Sequence, residues 1–463
     1  MSASRFQVLS PVDGSVWLER PWATEAEAEA VLARADAARA GWRATPLSER
    51  VALLSRMVDA FVAASDTHVR ELAWQMGRPV RFGAGEVGGF ADRARHMLAA
   101  ADGALADIVP ADKPGFERFI RRAPLGTVLV LSPWNYPYLT AVNAVIPALA
   151  AGNTVVLKHS EQTPLCAERM VEAAEEAGLP PGVFQFLHAS HDLVAGMVRD
   201  PRVHQVCFTG SVGGGVAIER AAAGRFIGVN LELGGNDAAY VRADADVGFA
   251  AENVVEGALF NSGQSCCGVE RVFVHADVYD AFVDAAVAAA HAWVLGDPTS
   301  PDTTLGPVVR PRNAAEIQAQ VHAALSDGAR SLLDPARFPI AHLGPTYLAP
   351  QLLDQVTGDM ALMREETFGP VAGIQRVGSD AEAIACINDC RFGLTASVWT
   401  ADLAAAATLG DQLDVGTVFA NRCDYLDPAL AWTGVKESGR GASLSELGFH
   451  ALTRPKSFHL RAR

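Results

Sequence analysis

The sequence predicts an α/β fold built from two parallel-sheet units and a small β extension. Between residues 126 and 208, short β-branched apolar runs alternate with helical stretches, the pattern of a parallel sheet wound through helical crossovers. The same texture resumes after residue 270. Two more strand-like segments, Phe116–Ala123 and Lys456–Leu460, belong to neither series.

Thr24 caps the first helix, and residues 24–40 continue with an acidic first turn and helical spacing. Pro46-Leu47-Ser48-Glu49-Arg50 opens a second helix reaching about Ser65, a third runs from Asp66 to near Gly77, and a fourth covers about Gly88–Ala106. The first hundred residues are therefore expected to be mainly helical. Charged alternation over Phe116–Ala123 reads as an exposed strand. Gly126–Leu131 is a core strand ending at Ser132-Pro133-Trp134-Asn135. After it come helix Leu139–Ala151, strand Asn153–Lys158, helix Pro164–Ala177, strand Val183–Leu187, helix His191–Arg199 and strand Gln205–Phe208. In the second half, Phe273-Val274, Val371–Ile374, Ala396–Trp399 and Thr417–Ala420 are strands with helices between them. Ala281–Leu295, which carries Asp284 and His291, is an amphipathic helix.

The 463 residues suffice for two to three domains and a large core. With 38 basic against 53 acidic residues the net charge is −15, which argues against nucleic acid and anionic membrane as partners. Seven scattered cysteines do not make a disulfide framework, so a reduced, cytoplasmic protein is expected. Met1–Phe6 carries no charged-then-apolar leader pattern, and no uncharged apolar run reaches membrane-spanning length. His188, His191 and His204 fit no standard metal spacing; solvated or capping roles are expected and no metal site is assigned.

The chemistry centres on Phe260-Asn261-Ser262-Gly263-Gln264-Ser265-Cys266-Cys267, a polar turn ending in two adjacent thiols. A lone cysteine is ordinarily a small buried apolar residue. Upstream stands Leu231-Glu232-Leu233-Gly234-Gly235-Asn236, a carboxylate between leucines followed by a glycine pair. A carboxylate in apolar surroundings has a raised pKa and can serve as a base near neutrality. Thiol and base together suit covalent catalysis on a carbonyl.

Leu231–Gly235 together with Asn261–Cys266 resembles the two active-site signatures of the non-acylating NAD(P)-dependent aldehyde dehydrogenases. The resemblance runs from Ser10-Pro11-Val12-Asp13-Gly14 to Lys456-Ser457-Phe458. It implies a Rossmann-like cofactor domain over 1–112 and 125–233 and an α/β catalytic domain over 234–437. Segments 113–124 and 438–463 would form a β oligomerisation extension. Strands outside both sheets need a partner for their edges, so a homodimer or homotetramer is expected.

Thr209-Gly210-Ser211, followed by Gly213, Gly214 and Gly215 before a helix, is either a phosphate-binding turn or a plain turn. It lacks the Lys-Ser/Thr of a triphosphate loop, so ATP is not expected. The resemblance assigns Gly210 and Ser211 to the cofactor; it breaks at Gly213, where the family commonly has Glu. In Lys158-His159-Ser160-Glu161, a carboxylate after a strand can hold the adenosine ribose and would repel a 2′-phosphate. Glu161 therefore favours NAD over NADP, and the resemblance adds Lys158 and Ser160. Arg364-Glu365-Glu366-Thr367-Phe368-Gly369-Pro370 reads cold as an acidic turn; by resemblance Glu366 and Phe368 hold the nicotinamide half. Ser132, Trp134 and Gly234 are assigned to the cofactor with the motifs that contain them.

Asn135 either caps a turn or, as the resemblance implies, donates to the developing oxyanion together with the Cys266 backbone N–H. The implied reaction adds the Cys266 thiolate to an aldehyde and passes hydride to the nicotinamide. The thioester is then hydrolysed with water activated by Glu232. Cys267 is expected to be a packing neighbour. Ala144 and Arg454 stand where some relatives carry a Lys and a Glu for proton exit, and His188-Ala189-Ser190-His191 lacks the usual glycines. Tyr136, Thr140, Asn143, Tyr425, Leu426 and Trp432 are expected to line the substrate entrance. Their aromatic and apolar character suits a medium-sized uncharged aldehyde; Arg422, pointed inward, would favour a semialdehyde. A CoA-acylating relative, disfavoured by Glu232, and a silent binding protein on the same fold are the rival readings.

Overall fold

A computed structural model describes residues 4–339 and 343–462; of the Met1–Phe6 stretch, Met1–Ala3 lie outside them. The expected α/β architecture is present as two mixed sheets, mostly parallel, flanked by helices. The first has six strands in the order Gly439–Arg440, Gly228–Glu232, Val203–Thr209, Thr127–Ser132, Thr154–His159, Phe184–Phe186. Its pairs are parallel except that of Gly439–Arg440 with Gly228–Glu232. Thr127–Ser132 is central and buried along its length, as a strand covered by helices on both faces must be.

The second sheet has seven strands, ordered Arg330–Ser331, Gln351–Asp354, Val371–Val377, Val269–His275, Asp237–Val241, Thr395–Trp399, Thr417–Ala420. Only the edge pair Arg330–Ser331 with Gln351–Asp354 is antiparallel. The chain passes from one sheet to the other between Glu232 and Asp237. Phe116–Pro124 pairs antiparallel with Thr453–Arg461 as a separate two-stranded ribbon, on which Phe119 stacks on Phe458 with ring centroids 4.4 Å apart.

Two local expectations change, and two strands are added. The N-terminal hundred residues begin with a hairpin, Arg5–Leu9 against Val16–Pro21, whose first strand alternates exposed and buried residues. The fourth helix starts at Val80 rather than near Gly88. Its early glycines weaken helix propensity, but they are contact points: a Cβ on Gly83 would come within 2.6 Å of Val69, and one on Gly89 within 2.7 Å of Leu139. Packing against neighbouring helices overrides the local preference. Gly228–Glu232 and Asp237–Val241, which flank the glycine pair, are strands. Among the described residues no helix is long and apolar enough to cross a membrane.

Candidate active site

The loop bearing Cys266 follows helix Val247–Leu259. Asn261 (φ +53°), Ser262 (φ +58°) and Gly263 (φ +69°) are all left-handed, a conformation that needs external support at non-glycine positions. Asn261 Nδ2 donates to the Asn135 and Gln264 carbonyls, both at 3.1 Å. Ser262 Oγ donates to the Gly306 carbonyl at 2.8 Å, and Gln264 Oε1 accepts from Val309 N at 2.7 Å. Gly263 must be glycine for a second reason: a Cβ would collide with the Gly369 carbonyl. Gly235 is equally constrained, by the Cys266 carbonyl. The glycine pair after Glu232 thus lets the Glu232 segment and the Cys266 loop approach each other.

Asn135 is buried and tied to the same loop: its Nδ2 donates to the Gln264 carbonyl at 3.1 Å. An amide nitrogen carries two protons, and this bond uses one. The Asn135 carbonyl also accepts from Arg78 Nη2 at 2.7 Å. Arg78 forms a buried ion pair with Glu86, and Glu86 Oε1 accepts from Tyr138 N (2.9 Å) and Leu139 N (3.1 Å) at the start of helix Pro137–Ala150. Arg78 and Glu86 have no motif around them, so sequence reading passes over both.

Glu232 ends its strand. Its carboxylate accepts from Ser443 Oγ and, at 3.4 Å, from Thr209 Oγ1. Burial pushes its pKa up, while Ser443, the charge of Arg93 and Thr209 oppose that rise. Cys266 is partly exposed, whereas Cys267 is buried and donates to Asp424 Oδ1 at 3.0 Å. Ser265 Oγ donates to the same oxygen at 2.7 Å. The Cys267 thiol is pushed well up by the adjacent Cys266 thiol, by burial and by Asp424. It therefore stays protonated beside its neighbour.

Cys266 and Glu232 open into one cavity of ≈ 700 Å³. Tyr136, Thr140, Asn143, Tyr425, Leu426 and Trp432 all stand on its wall. So do residues no sequence motif marks, among them Arg81, Arg93, Glu256 and Asp424.

The remaining candidates gather at the carboxyl ends of the parallel strands, where ligands of such sheets bind. Ser132 closes its strand and its carbonyl accepts from Ser160 N at 2.9 Å. Ser160 Oγ accepts from Gln162 N at 3.2 Å. Lys158 is lowered by burial, with Glu161 opposing, and Glu161 lies 3.4 Å from Arg310. Gly210 N donates to the Glu232 carbonyl at 3.0 Å, and Ser211 caps helix Val212–Ala222 by accepting from Gly214 N at 3.2 Å. Glu366, pushed up to about 7 by burial, accepts from Gly235 N at 2.9 Å and closes over Gly234, where a Cβ would strike its carboxylate. Trp134 meets Phe368 edge to face with centroids 5.6 Å apart. Sequence reading missed Glu270, a buried carboxylate that accepts from Thr367 N and Phe368 N and fixes that loop. The three histidines have structural surroundings. His188 bonds Glu168 at 2.9 Å, His204 Nδ1 accepts from Thr127 N at 3.1 Å, and His191 starts a helix. No three-residue metal-binding group occurs among the described residues.

The model of the aldehyde dehydrogenase family matches residues 1–458. A succinate semialdehyde dehydrogenase [NAD(P)+] of Escherichia coli (strain K12) is 35% identical over 443 residues, covering 96% of this chain and 95% of its own. The crystal structure of succinic semialdehyde dehydrogenase from Streptococcus pyogenes in complex with NADP+ superposes with a TM-score of 0.93 at 30% identity, covering 98% of this chain and all of that one (100%). PnpE in complex with nicotinamide adenine dinucleotide gives a TM-score of 0.94 at 29% identity, covering 99% of this chain and 94% of that one.

Proposed function

The chain belongs to the aldehyde dehydrogenase family, and from that premise we propose that it oxidises a semialdehyde to the corresponding dicarboxylic acid. The apolar and aromatic part of the cavity wall by itself suits an uncharged aldehyde. The carboxylate-bearing substrate is supported by relatives named for succinate semialdehyde and, above all, by arginine on the wall of the cavity that holds Cys266.

The residues at the strand ends suit a dinucleotide: a capped helix N-terminus at Ser211, the Glu161 carboxylate, and the Trp134–Phe368 pair beside Glu366. The bound nicotinamide supplies the hydride acceptor. Glu161 supports NAD, whereas Lys158 and Arg310 beside it and the NADP+ complex of a relative support NADP as well, so both cofactors are expected to serve.

Cys266, as thiolate, forms a C–S bond to the aldehyde carbon. The second Asn135 amide proton and the Cys266 backbone N–H receive the oxyanion. Departure of hydride leaves a thioester. Glu232 takes a proton from water, the resulting hydroxide adds to the thioester carbon, and the C–S bond breaks to give carboxylic acid and thiolate. The acyl group is released to water, in keeping with a base at position 232, and added CoA is expected to leave the product unchanged.

Initial rates of NADH or NADPH formation from succinic semialdehyde, butanal, benzaldehyde and 4-aminobutanal test the reading. A kcat/KM about tenfold or more higher for the semialdehyde is expected. Equal or better turnover of butanal or 4-aminobutanal would overturn it.

A further inference from the structure

We propose that Arg93 is the residue that binds the substrate's carboxylate, held in position by the Leu139 carbonyl and by Asn143. The proposal rests on the semialdehyde reading and names the side chain that would enforce it.

Helix Val80–Leu105 borders the cavity. Gly85 and Gly89, one turn apart, present the cavity with backbone rather than side chain. Gly89 also lets the helix close onto Leu139 of helix Pro137–Ala150. One turn further on, Arg93 is therefore near enough to cross between the helices. Its Nη1 donates to the Leu139 carbonyl at 2.8 Å and to Asn143 Oδ1 at 3.4 Å. These bonds hold one nitrogen and so set the plane of the guanidinium. Nε and Nη2 have no hydrogen-bond partner among the described residues. Those two nitrogens form the side edge of the guanidinium, the edge that matches the two oxygens of a carboxylate.

The other arginines on the wall differ. Arg78 is already paired with Glu86. Arg81 and Arg422 are exposed and lie against aromatic rings, Phe82 and Tyr425. Arg93 is partly buried and has no ion-pair partner among the described residues. Nearby Glu86 and Glu232 act on it only through their charge, so a buried cation still lacks a direct hydrogen-bonded anion, and an incoming carboxylate supplies one. The acids on the same wall are less suited to a substrate cation. Asp424 is held by Ser265 and Cys267, and Glu86 by Arg78 and two backbone N–H groups. Asp92 is exposed, and Glu256 has its pKa raised by burial. Arg93 stands on the wall of the same cavity as Cys266 and Glu232, so an anchored carboxylate lies in the cavity that holds the reacting centre.

The test compares full-length wild type with Arg93→Gln, Arg93→Lys, Arg81→Gln and Arg422→Gln, measuring KM and kcat for succinic semialdehyde and butanal and inhibition by succinate. Arg93→Gln is expected to raise KM for the semialdehyde about 100-fold, near 2.8 kcal/mol at 1.4 kcal/mol per tenfold. It should lower the semialdehyde-to-butanal ratio of kcat/KM by a similar factor and abolish succinate inhibition. Arg93→Lys should recover part of each, and the ratio should change less than about threefold in the Arg81 and Arg422 variants. Equal loss of butanal and semialdehyde turnover in Arg93→Gln would overturn the proposal in favour of a structural role. Retention of the ratio in Arg93→Gln, with loss in Arg81→Gln or Arg422→Gln, would overturn the Arg93 assignment alone. A wild type without preference for the semialdehyde and without succinate inhibition would remove the substrate reading and the proposal with it.

Discussion

Glu232 is set between opposing influences: burial raises its pKa, and the Ser443 hydroxyl, Arg93 and Thr209 lower it. A base must be deprotonated to work, so activity is expected to rise with pH through a value above that of an ordinary carboxylate. Ser443→Ala removes a hydrogen bond to the charged form and should move that acidic limb to higher pH. A pH profile of kcat that stays in place or moves down would exclude this coupling. At the thiol, Cys266→Ala should abolish turnover of every aldehyde, since Cys267 is buried and kept protonated beside Asp424. Persisting activity in that variant would remove Cys266 as nucleophile. Both residues can be picked out from the sequence because each sits in an unusual local context, a carboxylate between leucines and a thiol in a polar turn. Arg93, Glu86 and Asp424 have no such context, since their roles exist only through partners elsewhere in the chain.

At the level of elements, helix Val80–Leu105 joins the Asn135 loop to the Cys266 loop. Its Glu86 binds Arg78, which in turn reaches the Asn135 carbonyl and, at 3.3 Å, Asn261 Oδ1. Removing one partner of a buried pair strands the other charge. Glu86→Ala is therefore expected to destabilise the protein by about 3–5 kcal/mol, seen as a lower denaturant midpoint, with kcat falling as the two loops lose their common support. A loss under about 1 kcal/mol would mean the network is dispensable. Sequence reading starts this helix near Gly88 because glycine is a poor helix former; contacts with Val69 and Leu139 explain why it begins at Val80.

For the whole molecule, the ribbon of Phe116–Pro124 and Thr453–Arg461 stands apart from both sheets. A two-stranded ribbon is marginal on its own; Ile108 bridges one outer edge at Ile120, and a strand edge is a template for pairing with another chain. Its expected role is assembly: truncation before Thr453 should convert a dimer or tetramer to monomer by light scattering. A truncated chain that keeps the wild-type mass would sink that role. By itself the sequence determined the α/β class and the motifs bearing Cys266, Glu232 and Asn135, because strand periodicity and short peptide motifs are local properties of the chain. Only the tertiary structure decided what surrounds them. The meeting of Glu86 with Arg78, of Asp424 with Cys267 and of Arg93 with Asn143 depends on how sheets and helices pack, and residues far apart in the chain leave no local pattern of that packing.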